Sequence, residues 1–302
     1  ENINCQDQSN VVRCWDLDAD IVQDLNPMFN EILNKKISTI IIQFNFGFFD
    51  FRCLSEFLNK ISNKNIRIII FLHSTSHPES NVTKSLFNLK ESLAICDRIF
   101  VHTPTDLNRL KEIGLSHNSY IFPHGILDFD KSNYISSDSL LSLPNNNNKV
   151  NIATYGFCLP NKGYKQLIYA INMLKNINYN INLTLYTAIH SSSLSRIHFE
   201  ELKVLINQLD LSKCIKLDSN YYSDSETLIN LARQNMIIFP YQSSNESSSA
   251  SVRHGLAAGP SVLVTPISIF DDLQNVVDTL PGTSAEDIAN GIHSWLDKTK
   301  DN

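Results

Sequence analysis

Three stretches of this 302-residue chain carry residue types suited to a charged, hydroxyl-rich ligand. The first runs Tyr155-Gly156-Phe157-Cys158-Leu159-Pro160-Asn161-Lys162-Gly163-Tyr164. A glycine, then a lysine and a second glycine ahead of a helical period, suits an anion, because helix N–H groups and an ammonium converge on it. A plain βα loop with an exposed lysine reads the same way. The second stretch runs from Tyr241 to Pro260 and holds Glu246, the serines Ser247, Ser248 and Ser249, then Arg253 and His254. Glu246 reads as the start of a helix over 247–258, where the dipole favours a carboxylate, with Arg253 two turns along the same face. The serine turn offers hydroxyls and backbone N–H groups to a sugar or phosphate; a solvated helix cap is the bland alternative. The third is a pair of histidines at strand ends. His73 opens His73-Ser74-Thr75-Ser76-His77-Pro78-Glu79, and His124 precedes Gly125. Each is either ligand-facing or a capping or hinge residue.

A rival motif lies at Asp16-Leu17-Asp18-Ala19-Asp20. Asp-x-Asp can hold a divalent metal against a diphosphate. It precedes any nucleotide-binding unit, however, and reads better as a charged turn capping a helix near residues 21–33. No metal and no cofactor are expected.

The elements that must position these residues alternate. Short β-branched runs are separated by longer stretches of helical period, which predicts βαβ units and parallel sheets. In the first half, strands read at 39–45, 66–73, 98–103 and 119–123, with helices at 50–62, 82–95 and 104–113. Pro104 suits a first helical turn and Gly114 a helix stop. Residues 130–149 are polar, end in four asparagines and keep no period, which reads as a linker. Alternation then resumes as a five-strand unit, with strands at 150–155, 182–187, 214–217, 236–240 and 261–264. Its helices read at 164–175, 194–209, 226–233 and 247–258, and a last one at 285–296 with Ser284 as N-cap. The expected division is 1–130, a first α/β domain with an incomplete start; 131–149, a linker; 150–280, a second α/β domain; and 281–302, a C-terminal helix. Ligands of such sheets bind beyond the carboxyl ends of the strands.

Composition sets outer limits. The chain is 42% hydrophobic and 19% charged with a net charge of −6, which argues against a nucleic-acid partner. Its six cysteines form no CxxC pair and read as reduced thiols of a cytoplasmic protein. No apolar run reaches the ~20 residues that span a bilayer. No signal peptide is visible, and the chain opens on Glu1 rather than methionine.

With these residues in place, the chain resembles the retaining glycosyltransferases of the GT-B fold known as glycosyl transferases group 1. Gly156 to Gly163 is similar to that family's Gly-Arg-x-x-x-x-Lys-Gly loop. The run from Glu246 to Ala257-Ala258-Gly259-Pro260-Ser261-Val262 matches the spacing of its Glu-x7-Glu motif and small-residue helix end. Asp97–Thr103 through Ile121–Ile126 resembles the approach to its interdomain hinge. The resemblance covers most of residues 39–275. It implies an α/β fold of two Rossmann-like domains whose parallel sheets face a cleft, and transfer of a sugar from a nucleotide-diphosphate donor to a hydroxyl with retention of configuration. Lys162 would hold the diphosphate and stabilise the leaving group, Glu246 would contact the transferred sugar's hydroxyls, Gly156 would bind the donor, and the backbone of Ser247–Ser249 would cradle sugar and diphosphate. His73 would take the acceptor-side position, His124 would face the donor, and the loop 219–222 would lie near the nucleobase. A saccharide or lipid-linked saccharide acceptor, glycan or polysaccharide assembly, and peripheral contact at the cytoplasmic face of a membrane are also implied.

Three positions depart from the family. Its phosphate-binding arginine falls on Phe157, its second glutamate on His254, and its glycine-rich turn on Ser247-Ser248-Ser249. Arg253 would replace the lost charge, and His254 would contact the ribose in the glutamate's place. The family's first strand and glycine-rich loop have no counterpart in residues 1–20, which implies a piece of a longer polypeptide. An inactive or weak nucleotide-sugar binding domain is the second reading. A sugar-nucleotide epimerase is a third, which needs paired acid and base carboxylates and finds only Glu246.

Overall fold

The computed structural model describes residues 10–15, 23–78, 84–130 and 149–300. The Asp16–Asp20 motif, Glu79, most of the linker and the start of the helix expected at 82–95 lie outside them. The chain divides into two compact units. One is Glu1–His124 with Asn245–Ser248; the other is Gly125–Ser244 with Ser249–Asn302.

In the first unit, helix α1 (Asn26–Asn34) precedes β1 (Thr39–Phe44), α2 (Phe51–Ser62), β2 (Arg67–Leu72), a 3-10 turn (Leu86–Leu89) running into α3 (Lys90–Ala94), β3 (Arg98–Val101), α4 (Pro104–Glu112) and β4 (Ser119–Ile121). The expected helix at 82–95 is thus a 3-10 turn and a short α-helix among the described residues. The four strands pair parallel in sequence order. Each right-handed crossover moves one strand further in the same direction, so the helices fall on one face. Phe44, Ile68, Ile70, Leu72, Ile99 and Val101 from that face pack with Leu54, Leu58, Ile61, Leu93 and Leu110. The opposite face holds Phe71, Phe100 and Phe122, with ring centroids 4.9–5.5 Å apart. Local capping fixes the helices. Asp50 accepts from the Cys53 N–H at 2.9 Å, and Thr103 forms a capping box with Asp106 ahead of Pro104.

The second unit runs β5 (Val150–Tyr155), α5 (Tyr164–Asn176), β6 (Ile181–Tyr186), α6 (Ser193–Gln208), β7 (Ile215–Asp218), α7 (Asp224–Ala232), β8 (Met236–Phe239), α8 (Ala250–Ala258), β9 (Ser261–Val264), β10 (Asp278–Thr279) and α9 (Ala285–Lys300). All described pairs are parallel, in the order β10-β9-β8-β5-β6-β7. The two-residue β10 was not anticipated from sequence; a run of two residues has no period to read. Alternation puts Ile152, Leu183, Leu185 and Ile238 into one core with α5, α6 and α9. Ala153, Ile237, Phe239 and Val262 enter the other with α7 and α8. Both faces are therefore covered, as a doubly wound sheet requires. Ser284 caps α9 as expected, its hydroxyl accepting from the Asp287 N–H at 3.1 Å.

Candidate functional site

Strand order reverses once in the second sheet, where β5 has β6 on one side and β8 on the other. The loops leaving β5 and β8 lead there to helices on opposite faces of the sheet, the place where such sheets bind ligands, at the carboxyl ends of the strands. Both loops are the ones singled out from sequence. They are stitched together: the Gln242 N–H donates to the Asn161 carbonyl at 2.8 Å, and the Asn161 amide to the Ser243 carbonyl at 3.1 Å. Gly163 permits this approach. Its φ is +74°, and a Cβ there would lie 1.8 Å from the Pro240 carbonyl oxygen, so only glycine fits.

Gly163 is also the N-cap of α5, and it offers no side-chain acceptor to the first turn. The leading N–H groups of a thirteen-residue helix thus lack the usual capping oxygen. Lys162 stands immediately before them. Its ammonium sits 3.8 Å from the centroid of the Tyr241 ring. Among the described residues, no carboxylate pairs with it. Tyr241 is fully buried, and its hydroxyl has no hydrogen-bond partner. At Gly156, where φ is +142°, the space of a missing Cβ lies 3.4 Å from the hydroxyls of Ser251 and Tyr164 and 3.9 Å from that of Tyr241. The Tyr164 hydroxyl donates to the Phe157 carbonyl at 3.2 Å, so the donor set left for an anion is the Ser251 hydroxyl, the Lys162 ammonium and the leading helix N–H groups.

Beside this donor set lies a cavity of about 100 Å³ lined by Tyr155, Phe157, Tyr186, Asn220, Tyr221 and Tyr222, among others. Phe157 stacks on Tyr221 with centroids 6.4 Å apart, and His190 meets its edge. The loop after β7 is organised by Asp218, which accepts from Lys216 at 2.9 Å, Asn220 Nδ2 at 2.9 Å and the Tyr222 hydroxyl at 3.0 Å. Burial opposes ionisation of Asp218, but the donors from Lys216, Asn220 and Tyr222 outweigh it and hold the pKa below the usual value. Sequence reasoning named the loop 219–222 but missed Asp218; a lone aspartate closing an apolar strand was the available signal. A larger cavity, about 830 Å³, runs along α5 and α6 past Lys165, Arg196 and Glu200. It follows the surface of the two helices as far as Gln208 and holds none of the residues of the two loops beside the strand-order reversal, so size alone does not make it the candidate.

The helix expected at 247–258 begins at Ala250, with Ser249 as its N-cap accepting from Val252. Glu246 therefore lies four residues before α8, exposed in a loop, and does not share a helical face with Arg253. The serines explain the late start: their side chains favour caps and turns over helix interiors. Arg253 is buried; it donates to the Ser249 carbonyl at 2.9 Å and pairs with Asp272. His254 contacts the Ala250 carbonyl at 3.0 Å and Asp224 at 3.1 Å, with its ring against Tyr155.

The first unit assembles a second polar group at its own strand ends. His73, the first residue past β2, hydrogen-bonds to Gln43 at 2.6 Å and to His102 at 3.0 Å. The His124 ring lies 5.3 Å from that of His102. Burial, then the neighbouring His102 and His124, lower the pKa of His73. The segment Asn245–Ser248 packs here. The Ser74 hydroxyl donates to the Asn245 carbonyl, the Ser247 N–H to the His73 carbonyl at 3.1 Å, and the Ser247 hydroxyl to Asp106 at 2.7 Å. Asp106 also accepts from Thr75 and Thr103, each at 2.5 Å, and is almost wholly buried. Ser248 follows, half-buried. Asp106 was invisible as a site residue in sequence, because its helix-cap role accounts for it completely.

Among the described residues no group of three or more His, Cys, Asp or Glu is arranged to hold a metal, and no helix is long and apolar enough to cross a membrane. The five described cysteines are free thiols; burial pushes Cys96 up to about 12 and Cys158 to about 11.

No family model matches this chain, and no curated protein matches it by sequence. Solved structures do match. Sucrose-phosphate synthase from Thermosynechococcus elongatus superposes with a TM-score of 0.70 at 14% identity, covering 90% of this chain and 68% of its own. HepE of Anabaena, in complex with UDP and glucose, gives 0.69 at 13% identity over 91% and 73%. A UDP-forming trehalose-phosphate synthase from Burkholderia xenovorans, in complex with glucose-6-phosphate, gives 0.68 at 10% identity over 89% and 67%. At such identities the likeness is one of fold: the chain has the α/β GT-B architecture expected from its sequence.

Proposed function

We propose that the chain is a glycosyltransferase that moves a sugar from a nucleoside-diphosphate donor to an acceptor hydroxyl. The observation that carries this reading is the strand-order reversal between β5 and β8, with Lys162, the uncapped α5 N-terminus and an aromatic-lined cavity all gathered beside it. The donor class follows from the fold likeness to HepE, which was solved with UDP and glucose. Lys162 and the α5 N–H groups would hold the diphosphate and stabilise the charge that develops on it as it leaves. The Phe157–Tyr221 pair gives the nucleobase an aromatic surface. Glu246 would meet the sugar hydroxyls, and His73 the acceptor side. The sequence offers no convincing carboxylate nucleophile, so retention would proceed by front-side displacement. Glycan assembly at a cytoplasmic membrane face is the setting the resemblance implies. Saccharides or lipid-linked saccharides are the matching acceptors.

A second reading rests on a specific observation. Phe157 is stacked on Tyr221 where the resembling family has arginine, and Arg253, the candidate replacement charge, is paired with Asp272. A domain that binds a nucleotide sugar without transferring it would tolerate both.

Thermal stabilisation by a panel of nucleoside diphosphates and nucleotide sugars tests the donor site. A shift with one nucleotide, lost in Lys162→Ala, supports it. No shift with any member rejects it. Release of nucleoside diphosphate from the sugar donor then separates transfer from binding alone.

A further inference from the structure

His102 and Gln43 flank His73, and with both imidazoles neutral only one arrangement of protons satisfies all three. His102 is buried, and its Nδ1 lies 3.0 Å from the Phe122 carbonyl oxygen. A carbonyl oxygen only accepts, so Nδ1 of His102 carries the proton. In the neutral ring its Nε2 is then an acceptor. That atom lies 3.0 Å from Nδ1 of His73, so His73 must donate through Nδ1. A neutral His73 is left with a lone pair on Nε2, which faces Oε1 of the Gln43 amide at 2.6 Å, and two acceptors cannot bond. The amide completes the chain by turning its NH₂ toward that lone pair, an orientation set by the network.

We infer that His102 is a positioning residue, which holds His73 as the Nδ1–H tautomer so that it presents a basic Nε2. The free imidazole prefers the opposite form in water, so the preference must come from this relay. A second-sphere partner that selects a tautomer acts in the way a carboxylate does behind a reactive histidine. The group served is a hydroxyl: it displaces the exchangeable Gln43 amide and donates to Nε2. This last step rests on the proposed glycosyltransferase reading; the tautomer does not.

The test is ¹⁵N-edited NMR of imidazole-labelled protein at neutral pH, where the nitrogen shifts identify the tautomer. His73 protonated on Nδ1 in the wild type supports the inference. His73 protonated on Nε2 overturns it. His102→Phe removes the acceptor and should move His73 to Nε2–H. His102→Gln should keep Nδ1–H, because its amide oxygen accepts from His73 while its NH₂ reaches the Phe122 carbonyl. If His102→Phe does not fold, the wild type and His102→Gln still decide. An unchanged tautomer in a folded His102→Phe protein overturns the positioning role. With a nucleotide sugar that is turned over, His102→Phe should lower kcat/KM about tenfold, the worth of one hydrogen bond, with His102→Gln restoring it. A switched tautomer with unchanged kcat/KM overturns the hydroxyl-accepting role. No turnover with any donor counts against the proposed function, while the NMR result stands by itself.

Discussion

The ammonium of Lys162 rests 3.8 Å above the ring of Tyr241, and that ring is fully buried between Phe239 and Phe270. The lysine is thereby aimed by a rigid aromatic face rather than neutralised by a carboxylate. Cation–π attraction of this kind is worth about 0.5–2 kcal/mol. Tyr241→Phe keeps the face and should leave nucleoside-diphosphate affinity within about threefold. Tyr241→Leu removes it and should weaken binding by about 3- to 30-fold, with Lys162→Ala adding little on top. Calorimetry on the two singles and the double with Lys162→Ala measures the coupling. Additive losses would mean that the two residues act separately.

Gly163 is where the fold holds that lysine in place. Its left-handed backbone and the near approach of Pro240 leave no room for a methyl. Gly163→Ala should cost at least ~2 kcal/mol, from the αL conformation and the forced backbone shift together. Denaturant unfolding reads the cost. A loss below ~0.5 kcal/mol would show that the loop relaxes freely.

Much of this was readable in the sequence, for reasons that differ by element. The strand at 150–155 is a β-branched run between clear punctuation, and its bounds matched. Gly-containing loops after strands gave the crevice, because strand-to-loop boundaries are where composition changes most sharply. The start of α8 was misread: three consecutive serines are compatible with a first turn, and only tertiary bonds from Ser247 to Asp106 and His73 decide otherwise. Gln43, His102 and Asp106 were illegible as site residues. They lie 30 residues or more from their partners His73 and Ser247, or close to it, and nothing local marks such pairings.

Arg253 and Asp272 form a buried pair in the second unit. Breaking one half takes the opposite charge away from a buried group, at a cost of about 3–5 kcal/mol. Asp272→Ala should therefore unfold at much lower denaturant than the wild type. Arg253→Met with Asp272→Leu should recover most of that loss. If the double variant also keeps nucleotide affinity, Arg253 is a structural ion and leaves the diphosphate to Lys162. A double variant that is stable yet has lost binding would assign the arginine to the donor.

The pH response of the first unit follows from His73. Burial, His102 and His124 depress its folded-state pKa, while in the unfolded chain it titrates near 6.5. The unfolded state therefore takes up the proton first as pH falls. The stabilisation from keeping His73 neutral is complete above about 6.5 and is lost progressively as pH drops from there through the folded-state value. The unfolding midpoint should accordingly fall between pH 7.5 and pH 5.5. In His73→Asn, which keeps a polar partner for Gln43 but cannot titrate, the slope over that window should be smaller. His198, also buried and shifted down by burial, adds slope of the same sign from the second unit. An identical slope in His73→Asn would place the acid sensitivity elsewhere.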